Sequence, residues 1–192
     1  MAAHEDTGSW VINTRELVRR PGAMRTVEKT IEAPEAIGTD VVAVPAGAPV
    51  ALQVRLESVV EGVLASGSVS TTATAECVRC LDPVSVDVDV TFQELFAYPE
   101  RAAHHHEVAE EDQDEVHELD GDIMDLESVV RDAVVPALPF QPVCREDCPG
   151  LCSQCGARLE EDPGHQHEVI DPRWAALADL ASQVDTDDEK RN

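Results

Sequence analysis

Two stretches of the chain alternate apolar and polar residues with a period of two. In PVALQVRLE, Val50, Leu52, Val54 and Leu56 alternate with Ala51, Gln53, Arg55 and Glu57. In VSVDVDVTF, Val84, Val86, Val88, Val90 and Phe92 alternate with Ser85, Asp87, Asp89 and Thr91. This period predicts strands with one wet face. The run GSVSTTATA, from Gly67 to Ala75, fits a strand between them, and the short links favour an antiparallel meander. WVINT and the run 41–44 are candidate edge strands. On this reading Cys77 and Cys80 sit at the turn between two strands.

Further along, the period changes. Leu126, Val129, Val130, Ala133 and Val134 recur at helical spacing, with Asp122 or Asp125 as the cap and Pro136 and Pro139 as the stop. The apolar stripe of this helix is expected to cover one face of the sheet. DPRWAALADLA signals a second helix, capped by Asp171, with Pro172 at its first position and Trp174, Leu177, Ala178 and Ala181 on one face. Trp174 reads as a core or docking anchor. The expected fold class is α+β: an antiparallel β-sheet or open barrel covered by a helix, followed by a C-terminal Cys-rich zinc knuckle. Residues 1–100 form the β-rich core, 101–121 an acidic linker or loop, and 122–192 the helix, the Cys-rich segment and the C-terminal helix.

A chain of 192 residues with 43% hydrophobic content can bury a core without disulfides. MAAHEDTGSW has neither the basic nor the apolar region of a signal peptide, and no apolar run approaches the roughly 20 residues of a membrane span. The expected location is the cytoplasm, where closely spaced thiols are metal ligands or redox groups rather than bridges.

Charge narrows the partners. The net charge is −25, and it is uneven: residues 1–101 carry 15 acidic and 8 basic residues, residues 102–192 carry 24 and 6. Affinity for nucleic acid comes largely from phosphate neutralisation by Lys and Arg, so the C-terminal half should repel RNA and DNA. A basic protein partner suits it better, although such charge is also that of a solvated, disordered segment. His104, His105 and His106 open the acidic stretch and read as unliganded. The one basic concentration is Arg15, Arg19, Arg20, Arg25 and Lys29, either an RNA or acidic-partner contact or an ordinary solvated surface.

The six cysteines carry the most specific signal. ECVRCL holds Cys77 and Cys80; CREDCPGLCSQCG holds Cys144, Cys148, Cys152 and Cys155. A Cys-x2-Cys pair at a tight turn aims two thiolates at one metal, and two such halves complete a tetrahedral site. Soft thiolates favour zinc, and the spacing is not that of a ferredoxin. Two partitions are open. Cys77 and Cys80 can join Cys144 and Cys148, leaving Cys152 and Cys155 to recruit His165 and His167. Alternatively, the four C-terminal cysteines close on themselves. Thioredoxin-type chemistry wants its first cysteine at a helix N-terminus, whereas CVRC lies in a β-turn region. There is no Gly-rich phosphate loop and no GxSxG, and no motif points to an enzyme.

Together, TRELVRRPGAM, LESVVEGVLASGSV, ECVRCL, FQELFAY, the acidic gap and DIMDLESVVRDAVVPALPFQPVCREDCPGLCSQCG resemble the YceD family, the large ribosomal RNA subunit accumulation proteins. The resemblance covers nearly the whole chain and is closest to the actinobacterial branch. It implies a non-enzymatic, metal-binding protein linked to accumulation or processing of 23S rRNA. Cys77 and Cys80 match the family's central pair, and Cys144, Cys148, Cys152 and Cys155 its C-terminal set. Some relatives carry a further CxC where this chain has His165 and His167. An acidic chain with 3% aromatic residues lacks the phosphate-binding field and stacking platform of a single-strand binder. The expected role is therefore support of large-subunit assembly through a basic ribosomal protein or assembly factor. A thiol-based redox sensor with releasable zinc and a direct rRNA binder are the alternatives.

Overall fold

The alternating runs pair as a meander, in a computed structural model that describes residues 10–101 and 117–167. Strands β1 (Val11–Asn13), β2 (Met24–Glu32), β3 (Ile37–Gly38), β4 (Val42–Val44), β5 (Pro49–Ser58), β6 (Gly62–Glu76), β7 (Pro83–Ala97), β8 (His117–Glu118) and β9 (Ile123–Asp125) are followed by helix α1 (Glu127–Val134) and a 3-10 turn, Val135–Ala137. The chain divides into two compact units, one ending at Cys148 and the other beginning at Pro149.

In the first unit, β5, β6 and β7 are consecutive antiparallel neighbours. The sheet is extended by β2 on the far side of β5, and by β4 and β3 beyond the end of β5 along the same edge of β6. β8 adds to β7 in parallel, and β1 pairs with β9 as a separate two-stranded ribbon. Val50, Leu52, Val54 and Leu56 are buried on one face of β5, while the residues between them are exposed, as period two requires. Burying these four side chains contributes about 1.5–3 kcal/mol each relative to exposure. Val63, Ala65 and Val69 of β6 and Phe96 of β7 continue the same core.

β2 was not legible in the alternation. It pairs with β5 along its whole length, yet the positions facing inward are Arg25, Val27, Lys29 and Ile31, and two of these are cations. Both are used. Arg25 Nη1 donates to the carbonyl of Asn13 at 3.1 Å and Lys29 Nζ to that of Val11 at 3.2 Å, so the β2 cations hold the backbone of β1.

The expected helical cover needs correcting. The architecture is a curled, mainly antiparallel sheet, more sheet than α+β. Helix α1 buries Val129, Val130 and Val134 against the core, and Asp125 Oδ1 accepts from the N–H of Glu127 at its start. Eight residues span only about 12 Å, however, whereas the 15-residue strands β6 and β7 run to about 50 Å. The helix lies against β7 and β3 and cannot cover a face of that length. Residues 102–116 and the segment from Asp171 with Trp174 lie outside the described residues. At the end of the expected acidic linker, His117 and Glu118 form β8 on the edge of β7, and Leu119 is buried. Among the described residues no helix is long and apolar enough to cross a membrane.

Candidate metal centres

The hairpin between β6 and β7 is closed by CVRCLD. Cys77 N donates to Asp82 O at 2.8 Å, and Leu81 N donates to Cys77 O at 2.9 Å. The second unit repeats this loop in CSQCGA. There Cys152 N donates to Ala157 O and Gly156 N to Cys152 O, both at 2.8 Å, and a bridge between Leu151 and Arg158 matches the Glu76–Pro83 pair of the first loop. Each is a Cys-x2-Cys knuckle at the end of a hairpin. The residue after the second cysteine is left-handed in both, Leu81 at φ 62° and Gly156 at φ 73°.

Four thiols converge at the first knuckle. Cys77 Sγ lies 3.9 Å from Cys148 Sγ, and Cys80 Sγ 3.7 Å from Cys144 Sγ; all four sulfurs lie within 4.8 Å of one another. A tetrahedron with the 2.3 Å bonds of zinc to sulfur has edges of about 3.8 Å, so the spacing fits such an ion. The sheet supplies one half. The loop after α1 supplies the other, brought in by Val78 N donating to Pro142 O at 2.9 Å. Arg79 fixes it further, with Nη1 3.0 Å from the carbonyls of both Glu146 and Cys148. Cys77, Cys80 and Cys148 are buried with Val84 and Val143 around them, and Cys144 is exposed.

The thiols of this centre are electrostatically unequal. The backbone N–H of Cys144, helped by those of Cys80 and Arg79, outweighs burial and holds Cys77 down at about 6. The Asp82 N–H acts in the same sense on Cys80, but burial and the thiols of Cys77, Cys144 and Cys148 push it up to about 12. Cys144 is raised, first by the neighbouring Cys148 thiol and then by burial. Four thiols this close cannot all ionise unless a cation offsets their charge.

The second centre lies wholly in the unit that begins at Pro149. Its donors are Cys152, Cys155, His165 and His167, again within 4.8 Å of one another. Nε2 of each histidine is 3.2 Å from Cys155 Sγ, and the two Nε2 atoms are 2.8 Å apart. These separations are shorter than the tetrahedral edges of about 3.5 and 3.3 Å expected for mixed sulfur and nitrogen donors, so an ion would spread them by a few tenths of an ångström. The other ring nitrogen of His165, Nδ1, faces Asp162 Oδ2 at 3.7 Å, the kind of outer carboxylate that orients a metal-binding imidazole. Cys152 is held down at about 6 by the N–H groups of Gln154 and Cys155. Cys155 and His167 are exposed, which makes this centre far more open than the first.

The thiols thus group as in the first of the two partitions. The basic residues 15–29 converge on a different place. Arg19 donates to Gly121 O and Asp122 Oδ1, both at 3.2 Å, and its guanidinium lies 4.7 Å over the ring of Tyr98. Arg15 is 3.9 Å from Asp122, and Arg25 is 3.1 Å from Glu16. Arg20 enters no ion pair among those described. The residues that sequence reasoning passed over are Arg79, Leu81 and Asp162. Arg79 sits inside CVRC, and Asp162 precedes His165 by one helical-turn spacing; neither has a meaning until the loops are folded.

A curled sheet whose hairpin end and trailing loops gather thiols into metal-sized clusters defines a class of knuckle-bearing sheet protein. The chain belongs to the YceD family: the family described as "Large ribosomal RNA subunit accumulation protein YceD" matches residues 65–181, a span that holds both knuckles. A Mycobacterium tuberculosis protein is 48% identical over 169 residues, 88% of this chain and 80% of its own length. A Mycobacterium leprae protein is 46% identical over 170 residues, 88% of this chain and 76% of its own length. Bacillus subtilis YlbN is 32% identical over 114 residues, 57% of this chain and 60% of its own length. No solved structure matches.

Proposed function

We propose that this chain is a non-enzymatic zinc protein that supports accumulation and processing of 23S rRNA and assembly of the large ribosomal subunit by engaging a basic ribosomal protein or assembly factor. The observation that carries the reading is the four-thiol centre of Cys77, Cys80, Cys144 and Cys148 in a chain of the YceD family. The donors are soft, and their spacing suits a tetrahedral ion, which favours zinc. Cys152, Cys155, His165 and His167 are the ligands of a second ion. The net charge of −25 favours a basic protein over RNA as the direct partner. Contacts within the chain already engage Arg15, Arg19, Arg25 and Lys29, which weighs against a phosphate-binding role for them.

The test combines metal analysis with rRNA profiling. Purified protein should contain zinc, and cells depleted of the protein should accumulate 23S precursors that the parent gene corrects and a Cys77→Ser/Cys80→Ser gene does not. Normal 23S processing and subunit profiles after depletion would remove this reading.

A second reading, a redox sensor with releasable zinc, draws on the open second centre and on Cys152, whose thiol the N–H groups of Gln154 and Cys155 hold down at about 6. Peroxide would take two electrons from the Cys152 and Cys155 thiolates, form one S–S bond between them and be reduced to water, releasing the ion. Zinc retained under mild peroxide excludes it.

A further inference from the structure

The two knuckles make the same backbone hydrogen bonds, and this exposes an anomaly. The position after the second cysteine requires left-handed backbone, and Gly156 meets that requirement without strain. A Cβ there would meet nothing within 4 Å. Leu81 occupies the matching position of the first knuckle at φ 62°, a conformation that costs an L-residue about 1–2 kcal/mol. Its side chain returns nothing to the core, being 59% exposed. A strained, bulky residue where glycine would serve points to a use for the side chain outside the fold.

Its surroundings say what that use is. Val78, on the same loop, is 45% exposed. Val78 N is bonded to Pro142 O, and two residues before Pro142 stands Phe140, 99% exposed, although Phe92 and Phe96 are both packed into the sheet. Exposed apolar side chains grouped on a surface mark protein interaction sites, and aromatic residues are enriched at the centre of interfaces. Glu76 and Asp82 flank the knuckle in the chain, and Glu146 and Asp147 lie on the loop whose carbonyls Arg79 bonds. Of the two arginines nearby, Arg79 is directed at the carbonyls of Glu146 and Cys148, and Arg145 at Asp147, 3.2 Å away. These two loops therefore carry exposed apolar side chains together with four carboxylates and two arginines, both arginines engaged within the loops.

We propose that Val78, Leu81 and Phe140 form the docking tip for a basic protein segment that presents an apolar side chain, with Glu76 and Glu146 receiving its cations. The metal centre beneath holds the tip rigid. The proposal rests on the reading that the direct partner is a basic protein, and it locates the contact on that chain. RNA is the poorer match, because its phosphates would meet carboxylates.

The test uses the full-length, zinc-loaded chain and purified large-subunit ribosomal proteins and basic large-subunit assembly factors added one at a time, with a 23S rRNA transcript as a separate probe. Binding is followed by fluorescence anisotropy. At least one of the basic proteins should bind, and Leu81→Gly and Phe140→Ser should each weaken that binding about tenfold or more. Leu81→Gly should at the same time raise the melting temperature, a combination that a loss of folding cannot produce. If both variants bind the basic protein as the parent does, the docking tip is wrong while the basic-partner reading stands. If none of the proteins binds the parent, or if the transcript binds it and loses affinity with these substitutions, both fall.

Discussion

Removing the first metal centre should loosen the sheet unit by a calculable amount. The perturbation is Cys77→Ser/Cys80→Ser, which takes away the two thiols supplied by the β6–β7 hairpin. An ion shared by both halves acts as a cross-link, joining Cys80 to Cys144 across 64 residues and Cys77 to Cys148 across 71. By the loop-entropy relation used for disulfides, closing a loop of either length lowers the entropy of the unfolded chain by about 15 cal/mol/K, or about 4 kcal/mol at 25 °C. The long β6–β7 pairing and the core of β5 let the sheet fold without the ion, so the loss is partial. For a chain of this size it corresponds to a fall in Tm of about 8–16 °C. Calorimetry of parent and variant, with zinc measured in each, reads both quantities. The parent treated with chelator should melt close to the variant, and Cys152→Ser/Cys155→Ser should lose zinc without a fall of this size in the sheet transition. A variant that keeps the parent's zinc content, or melts within about 2 °C of it, would refute the cross-link argument.

Three further outcomes follow from the geometry. Leu81→Gly should stabilise the first knuckle by about 0.5–1 kcal/mol, the left-handed strain relieved less the backbone entropy of glycine, whereas Gly156→Leu should cost the second knuckle a similar or larger amount, both read by thermal melting. In metal-free protein at pH 7, iodoacetamide should label Cys152 ahead of Cys80, because one thiol is held at about 6 and the other pushed to about 12; labelling of Cys152 should slow as pH falls through 6, where the thiolate is protonated, and peptide mass spectrometry resolves the two. Arg19→Ala should cost the sheet unit no more than about 1 kcal/mol in a denaturant titration, since the bonds to Asp122 and Gly121 and the contact over Tyr98 are half-exposed.

Much of this protein can be read from its sequence by itself, because the deciding interactions are local. Period two in 50–57 and 84–92 reports one buried face whatever the neighbours are, so β5 and β7 were legible, and the short links made the meander legible as well. Helical spacing from Leu126 to Val134 did the same for α1. The form of CVRC and CSQC announces paired thiolates, since two cysteines three apart on a tight turn share a target. What sequence could not decide is which pair meets which. Cys80 and Cys144 stand 64 residues apart, and the alternative closure of the four C-terminal thiols has equal local merit. Tertiary structure chose, through the bond from Val78 to Pro142 and the reach of Arg79 to the carbonyls of Glu146 and Cys148. The same holds for β2. Its inward positions include Arg25 and Lys29, which read as a basic surface until the carbonyls of β1 are placed against them. Leu81 carries no signal along the chain at all. Its left-handed backbone, and the contrast with Gly156, exist only once two distant loops are seen to share one hydrogen-bond pattern.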